Sequence, residues 1–162
     1  MEVMTDKKDN TELESYNIPV QEVANYFLDK LDIETEDCIS NLKLQKLVYY
    51  AQGFVLALTH KKLFNEAIEA WLHGPVVRVL YNEYKANGAT AIVKTENLEY
   101  TNLQKYPELM EILDEVYQVY GQFSAWKLRN MTHDERPWLD TRINDVISDK
   151  KMLDFFSTQI NS

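Results

Sequence analysis

The sequence of 162 residues contains a single cysteine, Cys38, and this scarcity limits the chemistry that the chain can support. One cysteine excludes an intramolecular disulfide and any zinc site that needs several thiolates. Glu36 and Asp37 directly precede it, and their negative charge disfavours the thiolate form. We therefore expect Cys38 to be a poor nucleophile.

Glycine and histidine are also rare, with four and three residues. The glycines are isolated, so neither GxGxxG nor GxxxxGK occurs, and the phosphate-binding loops that these motifs form are excluded. There is no GxSxG elbow and no HExxH pair. His60, His73 and His133 lie too far apart in sequence to form a helical metal-binding pair. The sequence thus predicts a protein that has no metal or cofactor and is not an enzyme.

Long apolar runs and a basic excess are missing as well. No run approaches the roughly 18 apolar residues of a membrane span. The N-terminus lacks the apolar stretch of a signal peptide, so we expect a cytoplasmic protein without a membrane partner. The 26 acidic and 17 basic residues give a net charge of −9, which argues against nucleic acid as the main partner. The charge suits either solubility alone or attraction to a basic protein.

The spacing of apolar residues predicts a mainly α fold, a single compact domain of several helices around a buried central helix, with a small β element. Residues 1–17 are polar and predict a flexible tail, and residues 18–162 form the domain. Helices are expected after Asn17, after Ser40, from Pro75 to Gly88, from Pro107 to Gly121, after Ser124 and after Ser148. An extended segment or strand is expected within residues 63–72, and a short hairpin within residues 90–103.

The segment from Leu42 to Leu58 is the predicted central helix, because apolar residues cover two of its faces. Asn41, Gln45 and Gln52 form a narrow polar strip between those faces, and Lys43 and Lys46 point elsewhere. Four lysines, at positions 43, 46, 61 and 62, are expected to be solvated, the alternative being a nucleic-acid patch. The motif residues expected to build the core are Leu44, Leu47, Tyr50, Ala51 and Trp138.

Three motifs, in this order, resemble those of one protein family. They are SNLKLQKLVYYAQGF at residues 40–54, FNEAIEAWLHGPVV at 64–77 followed by VLYNEYKANG at 79–88, and YGQFSAWKLRNMTHDERPW at 120–138. Together they resemble the SocA-like antitoxin domain, also called Panacea and phage-associated GepA-like. The resemblance covers about residues 38–140.

This resemblance implies an antitoxin that silences a cognate toxin by direct binding, the toxin being encoded by an adjacent gene. It also implies that some members deliver the toxin to a protease, for which a AAA+ protease is the candidate. Two other functions stay open. One is a phage or mobile-element accessory protein or protease adaptor that acts on a host protein. The other is a small hydrolytic enzyme that uses His73 or His133 with acidic neighbours.

Two irregular segments are the candidate sites of toxin contact: the His73-Gly74-Pro75 turn and the Thr132–Trp138 corner. Irregular surface segments on a rigid scaffold are favoured recognition sites, and tryptophan and arginine are enriched at interfaces. We predict that the two segments lie close together. The alternative is that they only shape the chain, while Trp71, Trp126 and Trp138 pack in the core. The candidate contact residues are Trp71, His73, Gly74, Pro75, Arg78, His133, Glu135 and Arg136.

Overall fold

The computed structural model describes residues 13–30, 39–88, 90–92 and 98–160, and these ranges contain seven α-helices and one two-stranded antiparallel sheet. This architecture confirms the predicted mainly α fold with a small β element. Cys38 lies outside the described residues. In chain order the elements are α1 (Val20–Asp29), α2 (Asn41–Thr59), β1 (Ile68–Trp71), β2 (Gly74–Val77), α3 (Arg78–Tyr84), α4 (Pro107–Tyr120), α5 (Ala125–His133), α6 (Arg136–Leu139) and α7 (Asp149–Ile160).

Helix α2 runs through the middle of the core, as its two apolar faces predicted. The hydroxyl of Ser40 accepts a hydrogen bond from the backbone N–H of Lys43 at 3.2 Å, so the helix begins after its predicted N-cap. His60 ends the helix in a left-handed conformation, with φ of 60°. Helices α4, α5 and α7 pack around α2. The expected core residues on this helix are all fully buried: Leu44, Leu47, Tyr50 and Ala51.

Helix α7 contacts the backbone of α2 at Gly53. A Cβ atom at this position would lie 2.2 Å from the ring of Phe156, so glycine allows the ring to lie directly on the helix. The same ring makes edge-to-face contacts with Tyr49 and Phe54, at centroid distances of 5.4 and 5.1 Å. Aromatic packing therefore holds α7 against the middle of α2.

The two glutamines of α2 are buried, and their side chains form hydrogen bonds with backbone N–H and C=O groups that no strand pairs. The side-chain oxygen of Gln45 accepts a hydrogen bond from the N–H of Val77 at 2.8 Å. Gln52 accepts from the N–H of Leu63 and donates to the carbonyl of Phe64, both at 2.8 Å. Because an unpaired buried polar group costs about 1–3 kcal/mol, these bonds fix the hairpin and the segment before it onto α2.

The start of α1 differs from the prediction. Asn17 does not cap the helix, because its backbone is left-handed with φ of 56° and the helix begins at Val20. The N–H of Val20 donates instead to the carboxylate of Glu66 at 3.1 Å, a cap that comes from a distant segment. Before it, the N–H of Tyr16 donates to the carbonyl of Lys62 at 2.8 Å. The last residues of the predicted tail therefore pair with the domain.

The prediction of a short hairpin before α4 is wrong for the part of that segment that the structure describes. Residues 93–97 lie outside the described residues. Ala91 forms only an isolated bridge, and residues 98–100 are not in a strand. The carboxylate of Glu22 accepts hydrogen bonds from the backbone N–H and the side-chain amide of Asn102, at 2.9 and 2.7 Å. This distant carboxylate from α1 satisfies a donor that a strand would have used.

The helix predicted to begin at Pro75 is wrong in its start, because Pro75 lies in β2 and α3 begins at Arg78. Proline is tolerated in this strand for a specific reason. Pro75 lies opposite Ala70, whose N–H and carbonyl bond to Asp145 and Asn144 on the other side of β1. This pair exchanges no hydrogen bond between the two strands, so the N–H that proline lacks is not needed.

Candidate functional site

The turn between β1 and β2 rests directly on two helices. Gly74 has φ of 112°, a conformation that favours glycine. A Cβ atom there would lie 2.7 Å from the Lys46 side chain of α2 and 2.9 Å from the Thr132 hydroxyl of α5. Glycine thus turns the chain and also lets the hairpin approach both helices. Leu72 and His73, at the tip of the hairpin, are exposed.

The hairpin tip and the corner between α5 and α6 lie side by side, as the sequence predicted. The Nε2 atom of His133 is 2.7 Å from the carbonyl oxygen of Leu72, and its Nδ1 atom is 2.6 Å from that of Arg129. The indole N–H of Trp138 donates to the carbonyl of Trp71 at 2.7 Å. His133 and Trp138 therefore join the corner to the hairpin through backbone acceptors.

Glu135 directs both carboxylate oxygens toward the core. They accept hydrogen bonds from the hydroxyls of Tyr49 and Tyr50, at 2.9 and 2.8 Å. Burial raises the pKa of Glu135 to about 7, although the two tyrosine hydrogen bonds oppose that rise. The ring of Tyr50 also stacks on Tyr120, with centroids 3.9 Å apart. These contacts give Glu135 a structural role, while its contact with a toxin stays a prediction.

Lys46 is fully buried, which corrects the expectation that this lysine is solvated. Its Nζ atom donates to the carbonyl of Pro75 at 3.3 Å, beneath the hairpin turn. Burial, and secondly the nearby Arg129 guanidinium, lower the pKa of Lys46 to about 7.

Arg78 and Arg136 lie at the surface in ion pairs. The Arg78 guanidinium donates to the carboxylate of Glu69 at 2.8 and 3.1 Å, and these bonds lower the pKa of Glu69. It also lies 5.5 Å from the ring centroid of Trp71. Arg136 pairs with Asp140 at 3.2 Å, one helical turn away. The Arg136–Asp140 pair is exposed on both sides, and such a pair contributes at most about 1 kcal/mol, so Arg136 can exchange its carboxylate for one on another protein.

A groove of about 300 Å³ opens beside the hairpin tip, between the hairpin, α3, α5 and the start of α2. We call it the aromatic groove, after the side chains that line it with His73: Trp71, Tyr81, Trp126 and Arg129. Trp71 and Tyr81 meet edge to face at 4.8 Å, and the Arg129 guanidinium lies 4.6 Å from the ring centroid of Trp126. Aromatic rings beside an arginine are the composition found at binding hot spots.

Trp126 is 62% exposed, which corrects the expectation that it packs in the core. Trp71 and Trp138 are half-buried, and Leu72 at the hairpin tip is 68% exposed. Helical geometry offered a signal for Trp126. It lies about 200° around the helix from Leu128, one of the two fully buried residues of α5. The other residues of the groove come from separate elements, and no spacing in the sequence brings them together.

Neither a metal-ligand cluster nor a membrane-spanning helix occurs among the residues that the structure describes. Histidine, cysteine, aspartate and glutamate side chains do not gather there in groups of three that could hold a metal ion. No helix in those ranges has both the length and the apolar character needed to cross a bilayer.

Comparison with known proteins agrees with the three motifs. The model of the family described as "Antitoxin SocA-like, Panacea domain" matches residues 44–139, a range that includes the hairpin and the corner. The chain is also similar to Antitoxin SocA of Caulobacter vibrioides (strain NA1000 / CB15N), with 35% identity over 134 residues that cover 75% of this chain and 69% of that relative. No solved structure matches the chain. The chain therefore belongs to the SocA-like antitoxin family, which is defined by the Panacea domain.

Proposed function

We propose that this chain is an antitoxin that neutralises a cognate toxin by binding it directly. The observation that carries this proposal is membership of the SocA-like family, supported by 35% identity to a relative named an antitoxin. In this proposal an adjacent gene encodes the toxin, and the two proteins meet in the cytoplasm.

Binding, and not catalysis, is the proposed mode of action. Both ring nitrogens of His133 face backbone carbonyl oxygens, so the imidazole has no nitrogen left to take a proton from a substrate. His73 is exposed, and no carboxylate contacts it among the described residues. Neither histidine therefore has the base-and-orienting-group arrangement on which nucleophilic catalysis depends.

The toxin is proposed to bind the face formed by the hairpin tip, the aromatic groove and the corner. This face exposes two large apolar side chains, Leu72 and Trp126, next to the surface arginines Arg78 and Arg136. The side chain of His133 ties the hairpin tip to α5, so the face is preorganised. A preorganised face loses little conformational entropy when a partner binds.

Co-expression in a bacterial host tests the proposal. The adjacent open reading frame is expressed alone and then together with this chain. We expect the first to stop growth and the second to restore it, with the two proteins purifying as a complex. The proposal fails if neighbouring products are harmless, or if this chain does not restore growth.

The same experiment separates two modes of neutralisation. If the antitoxin blocks the toxin, toxin persists in the rescued cells as a stable complex. If the antitoxin delivers the toxin to a AAA+ protease, toxin disappears, and rescue is lost in a host that lacks the protease. The half-life of toxin in the two hosts decides between these modes.

A further inference from the structure

A cluster of basic side chains surrounds the hairpin tip of this acidic protein. Lys46 lies beneath Gly74, His133 contacts the carbonyl of Leu72, and Arg129 lines the same groove as His73. Burial lowers the pKa of His73, and these basic neighbours lower it further. The whole chain has a net charge of −9. Basic side chains therefore gather at the hairpin tip although the chain as a whole is acidic.

Within the part of the chain that the structure describes, no carboxylate pairs with Arg129 or Lys85, the two strongly basic residues that line the aromatic groove. Among the described residues, Arg129 stacks on Trp126 and donates to the side-chain oxygen of Asn130 at 3.3 Å, but it makes no ion pair. Lys85, which also lines the groove, makes none in those ranges either. In a chain with 26 acidic residues, two such cations beside one groove leave it open to an external anion.

The remainder of the groove suits an apolar group. The rings of Trp71, Tyr81 and Trp126 line it, and its volume of about 300 Å³ is at the lower end of the range for binding pockets. It is therefore large enough for one or two side chains of a partner. The carboxylate of Glu69 accepts from the Trp71 indole at 3.1 Å and is already paired with Arg78.

We propose that the aromatic groove binds an acidic segment of the toxin in which a carboxylate lies next to an apolar or aromatic side chain. The carboxylate pairs with Arg129, and Lys85 and His73 add positive charge. The apolar side chain lies against Trp71 and Trp126. This inference rests on the proposed function, because it specifies which part of the toxin the antitoxin recognises.

A protein carboxylate fits these observations better than a nucleic-acid phosphate does. Nucleic-acid binding gains most of its affinity from many phosphate contacts, which a net charge of −9 opposes. A single carboxylate needs only local positive charge, and arginine provides it in a geometry that matches the two carboxylate oxygens.

Selection from a phage-displayed library of random peptides tests the proposal. The full-length chain is the bait, and a synthetic copy of the most enriched peptide is then titrated against the parent and Arg129→Gln. We expect the enriched peptides to contain Asp or Glu next to Trp, Phe or Leu. Loss of a charge-assisted hydrogen bond should weaken binding to Arg129→Gln roughly tenfold or more.

Two further variants make the titration decisive. Lys127→Gln removes the same charge from an exposed position of the same helix that does not line the groove, so it should bind like the parent. Lys85→Gln lies outside α5 and should also weaken binding, which covers the case in which Arg129→Gln disturbs that helix. The proposal is overturned if no peptide is enriched, or if the enriched peptides are basic or uncharged. It is also overturned if Arg129→Gln and Lys85→Gln both bind the peptide as tightly as the parent does.

A fluorescent single-stranded oligonucleotide is the second probe, and binding tighter than that of the acidic peptide also overturns the proposal. Co-expression with the toxin separates this inference from the proposed function. If the parent, Arg129→Gln and Lys85→Gln all restore growth equally, only the groove inference fails. If the parent itself does not restore growth, the antitoxin function fails.

Discussion

Two ionisable side chains, the buried Lys46 and the half-buried Glu135, make stability depend on pH. Burial lowers the pKa of Lys46 from 10.5 to about 7 and raises that of Glu135 from 4.5 to about 7. Each residue therefore favours its neutral form in the folded protein. Between pH 4.5 and 7, Glu135 is protonated in the folded state and ionised in the unfolded state. Between pH 7 and 10.5, Lys46 is neutral in the folded state and protonated in the unfolded state.

Replacement of Lys46 by methionine should remove the part of the pH dependence of stability that is due to this residue. The stability that a neutral Lys46 contributes is lost progressively as pH falls from about 10.5 to about 7, so the parent should become more stable from pH 7 toward about pH 9. The slope due to this residue is at most about 1.4 kcal/mol per pH unit. Lys46→Met should be more stable than the parent at about pH 6, and the difference should shrink by about pH 9.

Urea denaturation of the parent and Lys46→Met across this pH range measures the effect. Lys127→Met, which removes an exposed amine, is the matched control and should follow the parent at every pH. A constant difference between the parent and Lys46→Met would mean that Lys46 keeps its ordinary pKa in the fold.

Glu135→Ala should destabilise the protein, because it leaves the hydroxyls of Tyr49 and Tyr50 without their acceptor. Each unsatisfied buried group costs about 1–3 kcal/mol, so the two hydroxyls together predict a loss of about 2–6 kcal/mol in the free energy of unfolding. Glu135→Gln retains one acceptor and should cost less. An alanine variant that melts like the parent but fails to neutralise toxin would instead identify Glu135 as a contact residue.

At the scale of elements, the β-hairpin depends on helices for its stability. A two-stranded hairpin is marginally stable on its own in water. Here Gln45 of α2 satisfies the N–H of Val77 on one edge, and the backbone of residues 144–147 covers the other edge. His133 then bonds to the turn. The candidate site is therefore as rigid as the helical core that carries it.

The origin of each element's hydrogen-bond partners explains which helix and strand starts could be predicted from the sequence. Ser40, Ser124 and Ser148 cap α2, α5 and α7 as predicted, because a cap acts on the N–H groups of the next few residues. The start of α1 at Val20 could not be predicted, because its partner Glu66 lies 46 residues away. The strand at Pro75 pairs with Ala70 only five residues earlier, but proline there also fits the first turn of a helix, so the local pattern favoured the wrong element.

For the candidate site, the motifs predicted that the turn and the corner lie together, but not the groove beside them. Tyr81, Trp126 and Arg129 meet there only because α3 and α5 pack near the start of α2. Such a meeting depends on tertiary packing, which no local spacing records. The burial of Lys46 and the inward direction of Glu135 were missed for the same reason.

The contact between α2 and α7 can be tested by changing its fit at Gly53. Gly53→Ala should destabilise by about 1–3 kcal/mol, because overpacking against Phe156 outweighs the gain of about 1 kcal/mol in helix propensity. With Phe156→Ala already present, the same substitution meets no ring and should be neutral or stabilising. Urea denaturation of the four proteins gives the coupling energy. Additive effects would mean that the two residues do not limit each other.

At the scale of the whole molecule, two exposed apolar surfaces lie near opposite ends of α2. The aromatic groove includes Leu42 at the start of the helix. A second groove, of about 130 Å³, includes Leu58 near its end and Val119 of α4. These two positions on α2 are about 24 Å apart along the helix axis, so a partner side chain cannot fill both grooves.

These two surfaces provide a matched test of where the toxin binds. Leu72 and Trp126 are 68% and 62% exposed, and Leu58 and Val119 are 48% and 49% exposed. Replacing either pair by alanine removes exposed apolar side chains, so each double variant should fold like the parent. We expect Leu72→Ala with Trp126→Ala to weaken toxin binding more than tenfold, because truncation of a central hot spot costs about 2 kcal/mol or more.

The control pair, Leu58→Ala with Val119→Ala, should bind and neutralise like the parent. Titration of purified toxin and growth rescue measure the two effects, and a thermal melt shows that both double variants are folded. If the control pair loses neutralisation and the first pair keeps it, the toxin binds between α2 and α4. The aromatic groove would then not be the recognition surface, although the chain would still act as an antitoxin.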